Sequence, residues 1–451
     1  MTTSSGSLEF DCRWVEDEHV QHVQHIQGEE LRATFSRLRI SVDGVPITRV
    51  LDRDSEKVRD YLLVPAYPLA EWIAYHCWFL LYETRNPCLG AIDEYPQRHN
   101  LRFGSEGYAL PDLEIIPTGN SVYLRYDHRS PNFAHVEFLK FGDAYADQEQ
   151  VTNALASFLE VVLNRLHDKE VARTPLEEEW EAIRMADARE AALCRYTAKL
   201  GMDPSALEDD AASRLAGLIE NVPEGLRDEF FSNATAATAE EDLAIVRGAL
   251  DRAAASEVEF AKLGRLRREL TPCGMLTGHP WAQGYRAARE LRARIDGNLE
   301  PFHSVEALLE RLGVPGSEVE TLCSVDENLP VTFQGVLGVN AKDTPGMVMR
   351  PTHEYSRTFV FCRALFEYLY RREKAALVTT NESETQQRNR AFAAELLAPS
   401  RRLRELVTKG HVGWVEIASL AAKFHVSEYV IAHQIENHHL ARIVREDMPA
   451  D

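Results

Sequence analysis

Leu38, Ile40 and Val42 alternate with polar residues, the turn dipeptide Asp43-Gly44 follows, and a second apolar run extends from Val45 to Leu51. A period of two on either side of Asp-Gly predicts a β-hairpin. Pro68 opens a helix carrying Trp72, Ile73, Cys77, Trp78 and Leu81. Proline suits a first helical turn, where the missing N–H costs nothing. A second pair of strands flanks Thr118-Gly119-Asn120, and His135–Phe141 reads as a further strand. Leu155, Phe158, Val161, Val162 and Leu166 recur at helical spacing, which predicts a helix over Glu149–Leu166.

Residues 174–272 show helical spacing only. One helix is expected over Glu177–Leu200, stopped by Gly201, and a long one, charged on one side, over Glu240–Leu270. Beyond 281, Tyr285–Ile295 and Ser304–Leu312 read as helices and Val314–Met349 as short strands and turns. The expected architecture is a multidomain α+β protein. It has an N-terminal mixed α/β domain over 1–170, a helical domain over 174–280, a third domain over 281–410 and a helix-turn-helix-like tail over 411–451.

The most informative stretch is Arg357–Pro399. The helix from Arg357 to Tyr370 has apolar residues on nearly every side, so it belongs at the centre of a domain. A turn follows near Asn381, and the next helix contains Arg390-Ala391-Phe392-Ala393-Ala394-Glu395-Leu396-Leu397-Ala398-Pro399. This phrase resembles the "FAAELL.P" phrase of the ImmA/IrrE family of zinc metallopeptidases, and the resemblance covers roughly residues 282–440. It implies a zincin-like domain. In the family an HExxH helix lies upstream of the phrase: two histidines one helical turn apart hold zinc, and the glutamate activates the bound water. A further acidic ligand precedes the phrase.

With Phe359 on the family's aromatic, the HExxH positions hold Arg363, Ala364, Leu365, Phe366 and Glu367. Arg363 has no lone pair to give a metal, and Ala364 has no base. Near the third ligand stand Gln386 and Arg388, with Glu382 and Glu384 somewhat earlier. The resemblance therefore implies a degenerate zinc site at Arg363, Ala364, Glu367 and Gln386, with no catalytic residue. An Arg363–Glu367 ion pair is expected where the metal would have been. An active enzyme would need unorthodox ligands drawn from His353, Glu354, Glu367 and Glu384. His353-Glu354-Tyr355-Ser356-Arg357 is one residue short of the motif, but it follows Pro351 in an expected loop.

Other features change the picture less. His19, His22 and His25 recur every third residue, and no acidic or cysteine partners complete a metal site. Val415–Leu440, with Ser427 as a helix N-cap, looks like a helix-turn-helix. Its second helix has no Arg or Lys to read DNA, so the 415–440 helices are expected to pack against the helix that bears the FAAELL phrase. Arg401, Arg402, Arg404 and Lys409 form a basic cluster that could meet an anion or a partner. Residues 1–170 are rich in aromatics, and the set from Phe103 to Phe133 is a candidate binding surface.

The formal charge of −21 argues against non-specific nucleic-acid coating. Seven cysteines without a CxxC pair fit a reducing cytoplasm. The first residues do not read as a signal peptide, and Pro68–Tyr82 is too short to span a bilayer. No Gly-rich phosphate loop, GxSxG elbow or Cys/His nucleophile pairing is present. The expectation is a cytoplasmic, bacterial regulatory protein: non-catalytic, without cofactor or membrane contact, and bound to a protein partner. The alternatives are an active zinc endopeptidase and a DNA-binding regulator.

Overall fold

A computed structural model describes residues 6–15, 28–89, 94–129, 135–255, 258–295, 297 and 299–444. The chain is mixed α/β and divides into two compact units, Met1–Asn221 and Val222–Asp451.

In the first unit, β1 (Leu8–Trp14) pairs antiparallel with β2 (Phe35–Val42), which also pairs with β3 (Val45–Pro46) and β6 (Leu62–Pro65). Leu38, Ile40 and Val42 are fully buried, as their alternation requires. The hairpin turn is left-handed at both central residues, Asp43 (φ 49°) and Gly44 (φ 73°), which matches the twist of the flanking strands. The second strand of this hairpin is shorter than expected. β4 (Val50–Asp52) leaves it for another sheet, between β5 (Lys57–Arg59) and β9 (Val136–Phe138). A third sheet runs β10 (Gly142–Asp147), β8 (Ser121–Asp127), β7 (Asp112–Pro117), and Thr118-Gly119-Asn120 forms the β7–β8 turn.

Helices α1 (Tyr67–Tyr82) and α2 (Gln148–Asp168) supply much of this core, α1 with Pro68 in its first turn. Three further helices follow α2 in this unit: α3 (Pro175–Met185), α4 (Ala188–Lys199) and α5 (Asp209–Asn221). The single helix expected over Glu177–Leu200 is thus two. The Asp187 carboxylate accepts from the N–H groups of Arg189 (2.8 Å) and Glu190 (2.9 Å), so it caps a new helix instead of continuing the old one.

The helical stretch expected to stand alone over 174–280 is shared between the units. In the second unit it contributes α6 (Arg227–Phe231), α7 (Ala239–Ala254) and α8 (Ala261–Glu269). The long helix expected over Glu240–Leu270 is therefore also two. The four-stranded sheet of this unit has the order β11 (Cys323–Val325), β13 (Pro345–Met349), β12 (Phe333–Val339), β14 (Ala375–Thr379), with only the β11–β13 pair parallel. Helix α7 lies on β12 and β13. At Gly346 a Cβ would sit 2.0 Å from the Ala253 carbonyl oxygen, so glycine is what lets the helix approach.

Helices α9 (Pro280–Ile295) and α10 (Val305–Arg311) precede the sheet. Helix α11 (Glu354–Phe366) lies between β13 and β14 in the chain and continues into a π-helical turn, Glu367–Arg371, that ends at the left-handed Arg372. From Thr358 through Tyr370 only Phe359 is not buried, which places this helix at the centre as its composition requires. Helix α12 (Glu384–Leu397) packs on α9 and α11, and α13 (Ser400–Leu406) follows. In the tail, α14 (Trp414–Phe424) and α15 (Glu428–Asn437) bury Ile417, Phe424, Ile431 and Ile435 in the same core as Phe392 and Leu396. Ser427 holds the N-cap position of α15, with no side-chain cap bond.

Candidate functional site

The sequence resemblance directs attention to the junction of α11, α12 and β14. Arg363, on the buried face of α11, is 2% exposed. Its Nε donates to Asn389 Oδ1 (2.8 Å) and its Nη1 to Gln334 Oε1 (2.5 Å). Its Nη2 donates to the Thr379 carbonyl (2.7 Å) and to Gln386 Oε1 (2.5 Å). All four acceptors are neutral. Burial pulls the guanidinium pKa down, and Arg390 pushes the same way against Glu229 and Glu367. An arginine guanidinium is not deprotonated in proteins, so the group stays a cation.

The expected Arg363–Glu367 ion pair does not form. Glu367 accepts instead from Arg371 Nη1 (2.8 Å) and Asn389 Nδ2 (3.2 Å). Asn389 spans the two, with its oxygen toward Arg363 and its amide nitrogen toward Glu367. The neutral bridge satisfies both groups, and Arg371, one turn on, supplies the counter-charge on the wetter side. Burial raises the Glu367 pKa, opposed chiefly by Arg371.

Gln386 joins this centre to the edge of the sheet. Strand β14 is an edge strand, paired only with β12. The Gln386 Nε2 donates to the Leu377 carbonyl (2.9 Å), and its Oε1 accepts from the Thr379 N–H (3.2 Å). A side-chain amide here pairs with the open edge as a residue of an added strand would. The same Nε2 also donates to Glu229 on α6 (3.0 Å).

The residues present do not fit zinc. Both carboxylate oxygens of Glu367 and the carboxamide oxygen of Gln386 already accept from protein donors. Ala364 offers no base, and the fixed charge of Arg363 opposes a divalent cation. His353 and Glu354 do not join them. They are exposed at the start of α11, and thirteen residues of helix place Glu354 roughly 20 Å from Glu367. Metal ligands must lie within about 2 Å of one ion, so these residues cannot share a site. Glu384 is half-buried in the first turn of α12. Among the described residues, no group of three or more His, Cys, Asp or Glu side chains could hold a metal. His19, His22 and His25 lie outside the described residues.

Sequence reasoning did not single out Glu229, Gln334, Thr379, Ser383 or Asn389. One signal was present: Ser383-Glu384-Thr385-Gln386 has the spacing of a capping box. Ser383 Oγ does accept from the Gln386 N–H (3.3 Å), but the Gln386 side chain turns to β14 instead of back to the cap.

Glu395, the acidic residue of the phrase that carries the resemblance, has a structural job. It is 2% exposed and accepts from Arg289 Nε (2.8 Å), Gln434 Nε2 (3.0 Å) and both the N–H (3.1 Å) and Oγ (3.0 Å) of Ser400. His438 Nε2 approaches to 3.5 Å. Burial raises its pKa, but His438, Arg289 and Ser400 outweigh that and hold it below the ordinary range. One carboxylate thus ties α9, α12, α13 and α15 together. With Gln434 buried and engaged, α15 presents Glu428, Tyr429, His433 and Glu436 outward, a poor surface for phosphates.

Of the basic cluster, Arg401, Arg404 and Lys409 are exposed, while Arg402 pairs with Glu405 (2.7 Å) and Glu300 (3.5 Å). In the first unit, Phe103 is exposed, Tyr108 and Tyr123 are half-buried and Tyr126 is buried; Phe133 lies outside the described residues. No described helix is long and apolar enough to cross a membrane. No family model, curated protein or solved structure matches the chain.

Proposed function

We propose that this chain is a non-catalytic regulatory or interaction protein. Its second unit is an ImmA/IrrE-like, zincin-like domain in which a closed polar centre stands where the family holds zinc. Arg363 carries the reading. It occupies the first ligand position and is bound by four neutral acceptors from β12, β14 and α12. The helix order supports it: the central helix α11 is followed by α12, which bears the FAAELL phrase. The protein acts in the cytoplasm of a bacterium, in a stress, mobile-element or phage-defence circuit, by binding a protein partner and not by cutting it.

Metal analysis after chelator-free purification tests this. Far less than one zinc per chain is expected. About one zinc per chain, lost on Glu367→Gln or His353→Ala, would sink the proposal. A pull-down from the native host on the same sample should return the partner at full length.

A further inference from the structure

Four donors converge on the carboxylate of Glu229. Thr379 Oγ1 (3.1 Å), Asn381 Nδ2 (3.0 Å) and Gln386 Nε2 (3.0 Å) meet its Oε2, and Ser383 Oγ (2.5 Å) meets its Oε1. All four lie between the last residue of β14 and the first turn of α12. A carboxylate has about four acceptor positions, so it is fully met.

The donors are aimed by bonds that do not involve Glu229. Asn381 Oδ1 accepts from the Ser383 N–H (3.1 Å), and Ser383 Oγ accepts from the Gln386 N–H (3.3 Å). Gln386 is fixed by the backbone of β14 on both sides of its amide. Arg363, against Gln386 Oε1, and Arg390, on the Thr379 and Thr380 carbonyls, supply positive charge behind the donors. The cradle is therefore organised for an anion by its own turn.

Its occupant comes from far away in sequence. Residues 222–238 bring Glu229 in with Phe230, fully buried against Phe333 with ring centroids 5.7 Å apart. The Asn233 carbonyl accepts from Thr332 Oγ1 (2.8 Å). Glu229 itself remains half-exposed, so solvent reaches the rim of the cradle.

We infer that the β14–α12 turn is a carboxylate-binding site in its own right, that Glu229 is its occupant in cis, and that residues 222–238 form a strap closing the polar centre to carboxylates from outside. This does not depend on whether the domain is catalytically silent.

The test uses the full chain as Glu229→Ala and Glu229→Gln, with acetate as the probe and chloride at equal ionic strength as the control. Thermal unfolding and hydrogen exchange over 222–238 and 379–386 are read at neutral pH. Glu229→Ala should lose protection over both segments, and acetate alone should restore it saturably over 379–386. Acetate at ten times its dissociation constant raises the folded-to-unfolded ratio about tenfold. If Glu229→Ala is unfolded in chloride, refolding in acetate is the same result. Glu229→Gln fills the volume with a neutral amide and should fold without any acetate effect. The inference is overturned if acetate restores neither folding nor protection to Glu229→Ala, if chloride does as well, or if Glu229→Gln responds equally. Zinc content is read separately, so failure here leaves the proposed function standing, and the converse holds.

Discussion

A guanidinium held by amides differs from one facing a carboxylate. Its N–H groups are satisfied, yet its charge is balanced only through the network, by Glu229 and Glu367. Arg363→Ala strands the oxygens of Asn389, Gln386 and Gln334 and removes a positive charge that favours Glu229 and Glu367. A loss of about 3–5 kcal/mol is expected in urea unfolding, the range seen when one member of a buried charged set is removed. A loss below about 1 kcal/mol would mean that the network is not what holds this centre. Glu395 makes a prediction with a pH sign. Its folded pKa lies below the unfolded value, so its stabilisation is complete above the unfolded pKa of about 4.3 and is lost as pH falls through the folded value. Glu395→Gln should be less stable than wild type at neutral pH, and the gap should close on acidification. Equal gaps at pH 7 and pH 3 would contradict the linkage. At this scale the sequence exposed Arg363 and Glu367, because a motif singled out their positions. It hid Glu229 and Asn389, whose roles come from contacts 157 and 22 residues away.

Among the elements, local chemistry was legible and tertiary packing was not. Asp43-Gly44 announced its hairpin because only a left-handed pair fits that turn, and the apolar girdle of α11 announced its burial. The break at Asp187 went unread, since an aspartate within a helical period is as compatible with a solvent face as with a cap. Strand β14 escaped because Ala375–Thr379 is short and its pairing partner, β12, is some forty residues earlier in the chain. Close packing at element scale predicts that Gly346→Ala is damaging: a methyl group would overlap the α7 backbone at Ala253. A destabilisation of about 1–3 kcal/mol is expected, the usual cost of overpacking. Faster hydrogen exchange should be confined to α7 and the β12–β13 pair. A neutral effect would show that α7 shifts freely on the sheet.

For the whole molecule, the division at 221/222 matters more than the composition change near 281. A fragment beginning at 282 lacks α7, α8 and Glu229, so it exposes one face of the sheet and empties the carboxylate cradle. Residues 222–451 should give a cooperative thermal transition when expressed alone, whereas residues 282–451 should aggregate or unfold without one. A cooperative transition in the shorter piece would refute this division. The sequence could not disclose the boundary, because helices on both sides of it share the same composition and period. The strap carries a further consequence for synthesis on the ribosome. Glu229 is made 157 residues before Gln386, an interval of roughly 8–30 seconds at about 5–20 residues per second. Until β12 and β13 are made, Phe230, Phe231 and the apolar face of α7 have no sheet to cover. The nascent second unit is thus expected to hold these apolar faces open to chaperones, and faster elongation through 255–349 should raise its soluble yield.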